Sequence, residues 1–241
     1  MSTTSAEISA VVILVSPKRH AEARVLQKLV EIQCREYEIP VMLSFDEGWN
    51  NGKETLVNAL KMPGGKGKRR LIIHDDILIP KGTIRKLHHI LPNLPAAVFV
   101  SAYCPANKGF DEAHARGHHF LLTASNVWAQ ALLYPEPLID RAIKYYEEWF
   151  LRECRYDDSV LKSFLKKHKL KVHTIVPSLV QHLGAYRSGY GFAGKAGRFR
   201  HSDIFDPNFD PESVDWPRAL ATAYRNEINQ SDIIVDPSLG G

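Results

Sequence analysis

Leu71-Ile72-Ile73-His74-Asp75-Asp76-Ile77-Leu78-Ile79 places two adjacent carboxylates at the end of an apolar run. Leu71, Ile72 and Ile73 read as a buried strand, β-branched and too short for a helix. Asp75 and Asp76 then fall where the strand leaves the sheet, the edge at which open α/β sheets bind ligands. Ionised carboxylates beside a core are costly unless a cation or hydrogen bonds stabilise them. A divalent metal carrying a phosphate is one partner that answers this; an Asp pair capping a turn is the other reading.

Outward from this strand, short apolar runs and helical patterns alternate. Ala10 to Val15 is a second strand, ending at Ser16-Pro17-Lys18-Arg19, and a helix follows from His20 to about Glu36. Pro40 to Phe45 is a strand broken by Asp46-Glu47-Gly48, followed by a helix carrying Leu56, Val57 and Leu60. Pro63-Gly64-Gly65 and the basic Lys66 to Arg70 read as a loop, Lys81 to Leu91 as a helix and Ala96 to Ala102 as a strand. This alternation predicts an α/β fold with a mostly parallel central sheet flanked by helices.

The second half is less regular. His119 to Thr123 and Val172 to Val176 read as strands; Ser125 to Leu133, Leu138 to Glu153 and the stretch after Asp157-Asp158-Ser159 read as helices. From Gly184 glycine, arginine and aromatics dominate, and the last 35 or so residues read as a loosely structured, flexible C-terminal segment. The expected division is a disordered leader over 1–9, one domain over 10–205 and a C-terminal extension over 206–241.

The 241 residues are 44% hydrophobic with a net charge of +4, ordinary for a soluble globule and compatible with phosphate-bearing ligands. No apolar stretch approaches the roughly 20 residues a bilayer span needs. Met1 to Ala10 lacks the pattern of a secretory signal. Three separated cysteines, Cys34, Cys104 and Cys154, form neither a disulfide framework nor a zinc pattern. A cytoplasmic setting is expected, the host's if the source is viral.

Asp75 and Asp76, Asp157 and Asp158, and His182 all lie at expected strand ends or helix starts. A carboxylate and an imidazole can hold Mn²⁺ or Mg²⁺ against a diphosphate. A second carboxylate can deprotonate an acceptor hydroxyl. The competing readings are a structural histidine at 182 and helix-capping aspartates at 157 and 158. Trp49, Trp128 and Trp149 are candidates to stack on sugars; Trp149 reads better as core and Trp49 better as a site residue.

Five segments taken together resemble a nucleotide-sugar glycosyltransferase of the A-type (GT-A, Rossmann-like) fold. They are Ser16-Pro17-Lys18-Arg19, Asp46-Glu47-Gly48-Trp49-Asn50, His74-Asp75-Asp76, Tyr156-Asp157-Asp158 and Pro177-Ser178-Leu179-Val180-Gln181-His182-Leu183-Gly184. The likeness spans about residues 10 to 205 and is nearest to compact glycosyltransferase-like proteins of bacteria and their phages. It implies that Asp76 and His182 bind the metal, with Asp75 on the donor's ribose or sugar. It also implies Arg19 and Asp46 in the nucleotide pocket and Asp158 or Asp157 as catalytic base of an inverting enzyme. His74 stands where many relatives carry an acid. Ser188, Arg198 and Arg200, in the glycine-arginine segment, suit a loop that grips the donor diphosphate.

The expected activity is metal-dependent sugar transfer from a UDP-sugar, or another nucleotide-diphosphate sugar, to an acceptor hydroxyl. The acceptor would be a bacterial glycan or hydroxymethylated phage DNA, with Lys66 to Arg70 offering a phosphate contact for the latter. The competing classes are a non-catalytic nucleic-acid-binding protein on a degenerate transferase fold and a metal-dependent phosphoesterase.

Overall fold

The computed structural model describes residues 6–47, 53–105, 107–124, 127–150, 157–183 and 201–231. Among the described residues nine strands run in chain order: β1 (Ala6–Val15), β2 (Val41–Phe45), β3 (Gly67–His74), β4 (Ile77–Leu78), β5 (Phe99–Ser101), β6 (Phe120–Thr123), β7 (Ala131–Pro135), β8 (Val172–Ile175) and β9 (Gln181–His182). The helices are α1 (His20–Cys34), α2 (Lys53–Lys61), α3 (Thr83–Ile90), α4 (Lys108–Ala115), α5 (Ile139–Phe150), α6 (Asp157–Lys167) and α7 (Trp216–Ser231).

Seven strands form one sheet in the order β2-β1-β3-β7-β5-β8-β6. β1 pairs parallel with β2 and β3, and β5 parallel with β8; β7 runs antiparallel between β3 and β5, and β6 antiparallel at the far edge. The direction is thus mostly shared, with helices on both faces, as the strand–helix alternation predicts. Side chains of β1 alternate between two cores, as the period of a strand requires. Val11, Ile13 and Val15 pack with α1 and α3 on one face; Val12 and Leu14 pack with α2, α5 and α6 on the other. Burial on both faces explains why these strands read as unbroken apolar runs. No helix among the described residues is long and apolar enough to cross a membrane.

Four expectations are corrected. The leader expected over 1–9 gives way at Ala6, where β1 begins, and Glu7, Ile8 and Ser9 are buried. The helix expected over Ser125–Leu133 is replaced by the strand β7, whose Ala131, Leu132, Leu133 and Tyr134 are all buried. Such a run suits either element locally, and the vacancy between β3 and β5 decides for a strand.

The expected basic loop Lys66–Arg70 instead runs into β3, and its arginines are buried. Arg69 is 0% exposed and donates to Glu7 Oε2 at 2.8 Å and to the carbonyls of Leu94 and Pro95 at 3.1 and 2.6 Å. Arg70 Nη1 donates to the Leu60 and Met62 carbonyls at 2.6 and 2.5 Å, terminating α2, while its Nη2 faces Glu136. Cations satisfying the last carbonyls of a helix are favourable there. Lys68 pairs with Glu7 at 2.6 Å. Arg69 and Arg70 are thus internal braces and Lys68 is tied to Glu7, which leaves Lys66 as the exposed cation of the run.

Residues 211–231 are not loose: a 3-10 turn at Pro211–Ser213 leads into α7. Trp216 is 2% exposed, packs on Phe120 and donates from its indole to the Pro211 carbonyl at 2.8 Å.

Candidate active site

The ends of β1, β2 and β3 and the start of β7 meet at one edge of the sheet. Asp46 N–H donates to the Val15 carbonyl at 2.9 Å, Asp75 N–H to Leu14 at 3.1 Å and His74 N–H to Gln130 at 3.0 Å. Ser16, Asp46 and the His74-Asp75-Asp76 triplet therefore sit side by side on the carboxyl edge of the parallel strands, where such folds bind ligands.

Asp75 is turned into the protein. Its Oδ2 accepts from Ser16 N–H at 2.7 Å and from the Ser16 hydroxyl at 2.8 Å. Its Oδ1 faces Arg19 Nε at 3.4 Å, and Arg19 Nη2 also donates to the Asp75 carbonyl at 2.8 Å. Burial pushes the Asp75 carboxyl above its ordinary range, with the Asp76 charge acting the same way; the Ser16 bonds and Arg19 pull against this. Arg19, expected in the nucleotide pocket, is 5% exposed and grips Asp75.

Asp76 meets His182. A two-stranded ribbon of β4 and β9 puts Ile77 opposite His182, and Leu183 N–H donates to the Asp76 carbonyl at 2.8 Å. His182 Nε2 then lies 3.3 Å from Asp76 Oδ2, with the residues 1% and 7% exposed. Burial opposes ionisation of Asp76. The hydrogen bond from His182 and the charges of His182, His74 and Arg19 outweigh it and bring the carboxyl down to about 2. The second oxygen, Asp76 Oδ1, is buried without a hydrogen-bond partner. Tyr103, just beyond β5, packs its ring 6.3 Å from that of His182.

This donor set fits a divalent cation. An ionised buried carboxylate with one oxygen unsatisfied is costly by itself; its oxygen suits Mn²⁺ or Mg²⁺, and the imidazole beside it adds a nitrogen ligand for a transition metal. Among the described residues no group of three or more His, Cys, Asp and Glu is gathered to hold a metal. Two protein ligands match the way such ions sit in phosphate-transfer sites, where substrate oxygens and water complete the shell.

Asp158 reaches the same edge from the start of α6. Its Oδ1 accepts from Ala129 N–H at 2.7 Å, one residue before the Gln130 carbonyl that receives His74 N–H. The side chain of Asp157 lies outside the described residues, as do Trp49, Ser188, Arg198 and Arg200.

Beside Asp46, a cavity of about 290 Å³ opens between β2 and α2, bordered by Ser44, Asp46, Glu47, Glu54, Thr55 and Asn58. The Thr55 hydroxyl is buried without a partner.

Several residues here went unassigned in the sequence: Ser16, Tyr103, Thr55 and Gln181. The Gln181 amide donates to the Ser202 carbonyl at 2.9 Å and accepts Ser202 N–H at 2.8 Å. Ser16 stood in a quoted motif directly after a strand, which was signal enough to mark it. Tyr103 and Thr55 carried no local signature.

No family model matches the sequence, and no curated protein matches it. Among solved structures the chain is similar to a glycosyltransferase involved in glycosylation of the major capsid of PBCV-1. Identity is 12% and the TM-score 0.40, covering 68% of this chain and 93% of that one. It is also similar to a variant of Drosophila beta-1,4-galactosyltransferase 7 in complex with manganese, UDP-Gal and xylobiose. There identity is 9% and the TM-score 0.40, covering 86% of this chain and 84% of that one.

Proposed function

We propose that this protein is a metal-dependent glycosyltransferase that takes its sugar from a nucleotide-diphosphate donor, UDP-sugars first. One observation carries the reading: Asp76 and His182, distant in sequence, stand 3.3 Å apart at the sheet's carboxyl edge with Asp76 Oδ1 unsatisfied. The motif resemblance assigned the metal to these two residues, and their contact supports it.

A divalent cation held by Asp76 and His182 would supply Lewis-acid neutralisation of the charge building on the departing diphosphate. The chain's own groups do the rest. Asp46 and the cavity beside it, rich in carboxylate, hydroxyl and amide groups, suit the hydrogen-bond donors of a nucleoside. Asp158 takes the proton from the acceptor hydroxyl as that oxygen forms its bond to the anomeric carbon. The bond from that carbon to the diphosphate oxygen breaks with its electron pair leaving on phosphate. Attack opposite the leaving group inverts the anomeric centre. The bond from Ala129 N–H holds one Asp158 oxygen in place.

A glycan is the acceptor class we favour. Of the basic run that suggested a DNA contact, Lys68, Arg69 and Arg70 are engaged by Glu7, Glu136 and backbone carbonyls. The same finding removes the main support for a non-catalytic nucleic-acid binder.

The test incubates the protein with UDP-glucose or UDP-galactose and Mn²⁺, offering a panel of glycosides or hydroxymethylated DNA. Sugar transfer to a glycoside, abolished by EDTA, is expected. Transfer to DNA alone would overturn the acceptor class. Absence of any Mn²⁺-dependent UDP binding would overturn the activity, and a product retaining the donor's anomeric configuration would remove Asp158 as base.

A further inference from the structure

We infer that Arg19 and Asp75 are positioning residues that present Asp76, rather than groups that touch the donor. The resemblance assigns Asp75 to the donor and Arg19 to the nucleotide pocket, but the geometry turns both inward. Ser16 occupies Asp75 Oδ2 twice, through its amide and its hydroxyl, and Arg19 Nε faces Oδ1. Asp75 is 6% exposed and Arg19 5%. A carboxylate with both oxygens engaged inside the protein has little left to offer a ribose hydroxyl.

What this arrangement does control is the next residue. Arg19 Nη2 donates at 2.8 Å to the Asp75 carbonyl, which belongs to the peptide leading into Asp76. On the other side, Leu183 N–H holds the Asp76 carbonyl at 2.8 Å. Both peptides flanking Asp76 are thereby clamped. This fixes where the Asp76 Cα–Cβ bond points, and so where its carboxylate starts out relative to His182. Groups behind a metal ligand fix its orientation and typically change metal affinity by about 10- to 100-fold when removed. The binding half of the test rests on the metal reading given above; the geometric half does not.

The experiment uses the full chain with Asp75→Asn, Arg19→Gln and the conservative Arg19→Lys. Asp75→Asn keeps an acceptor for both Ser16 donors and sets an amide NH2 against Arg19 Nε, so it breaks the Arg19 contact at nearly constant side-chain volume. Two affinities are measured by calorimetry: Mn²⁺ in the presence of UDP, and UDP in EDTA. The expected result is Mn²⁺ binding weaker by roughly 10- to 100-fold in Asp75→Asn and Arg19→Gln, with partial recovery in Arg19→Lys. UDP affinity in EDTA is expected to stay within about 2-fold of wild type. A parallel loss of UDP affinity in EDTA would mean that these residues touch the donor and would overturn the inference. Crystal structures of the same variants give the second reading: the Asp76 carboxylate should turn away from His182, and an unmoved carboxylate overturns the inference. If the wild type binds no Mn²⁺ with UDP, the proposed activity fails, and the crystal comparison alone decides this point.

Discussion

Asp76 and His182 face each other across the ribbon of β4 and β9, each the residue next to a paired position or in one, so the backbone itself sets their 3.3 Å approach. The ribbon is only two residues long on each side. It is nevertheless the connection through which a late segment of chain reaches the end of β3.

On the proposed function, replacing either member removes a metal ligand. His182→Ala and Asp76→Asn should each reduce Mn²⁺-dependent UDP binding at least 100-fold, since loss of a direct ligand exceeds the 10- to 100-fold typical of supporting groups. UDP binding in EDTA should be unchanged. Calorimetry with and without EDTA checks this, and equal losses in both conditions would count against a metal role.

On the proposed function, Asp158→Asn addresses the chemical step alone. A general base contributes on the order of 10² to 10⁴ in rate. Turnover should therefore fall by that factor while donor KM stays close to wild type, because the amide still accepts the bond from Ala129 N–H. Steady-state kinetics over donor concentration distinguishes this from a donor-binding role, which would raise KM.

Much of this site was legible because strand ends announce themselves. β1, β2 and β3 carry dense β-branched or apolar runs, and the polar residues immediately after them, Ser16, Asp46 and Asp75-Asp76, stand together at one sheet edge. β7 was not legible, since Ala131-Leu132-Leu133-Tyr134 carries no period that excludes a helix and only its neighbours in the sheet settle the matter. Arg69 and Arg70 misled for a different reason. Charge reads as solvent exposure unless its partners are known, and those partners are Glu7, Glu136 and the carbonyls at 60, 62, 94 and 95. The direction in which Asp75 points was likewise beyond reach, because it depends on Ser16 and Arg19 across two strand ends.

The Arg69 brace makes a stability prediction. Arg69→Met removes the cation from a site where Glu7 is 5% exposed and two carbonyls depend on it. Breaking one side of a buried pair costs about 3–5 kcal/mol. Lys68, also paired with Glu7, offsets a part of this. A loss of that order in urea denaturation is expected for Arg69→Met, and a loss much smaller for Lys68→Met. Equal losses would show that the two cations contribute alike.

His173 makes acid sensitivity measurable. It lies on β8, 3% exposed, with Nε2 3.0 Å from the Tyr224 hydroxyl. Burial, and then the charge of Arg69, lower its pKa from 6.5 to about 4. The unfolded chain thus takes up a proton as pH falls through about 6.5, while the folded chain resists until about 4. Its contribution to stability is complete above the higher value and is lost as pH falls between the two. The loss amounts to on the order of 3 kcal/mol across the window. His173→Gln keeps an amide that can bond Tyr224 and removes the titration. Urea midpoints measured from pH 7 to pH 4.5 should fall less steeply in His173→Gln than in the wild type. Identical slopes would assign the acid sensitivity to other groups.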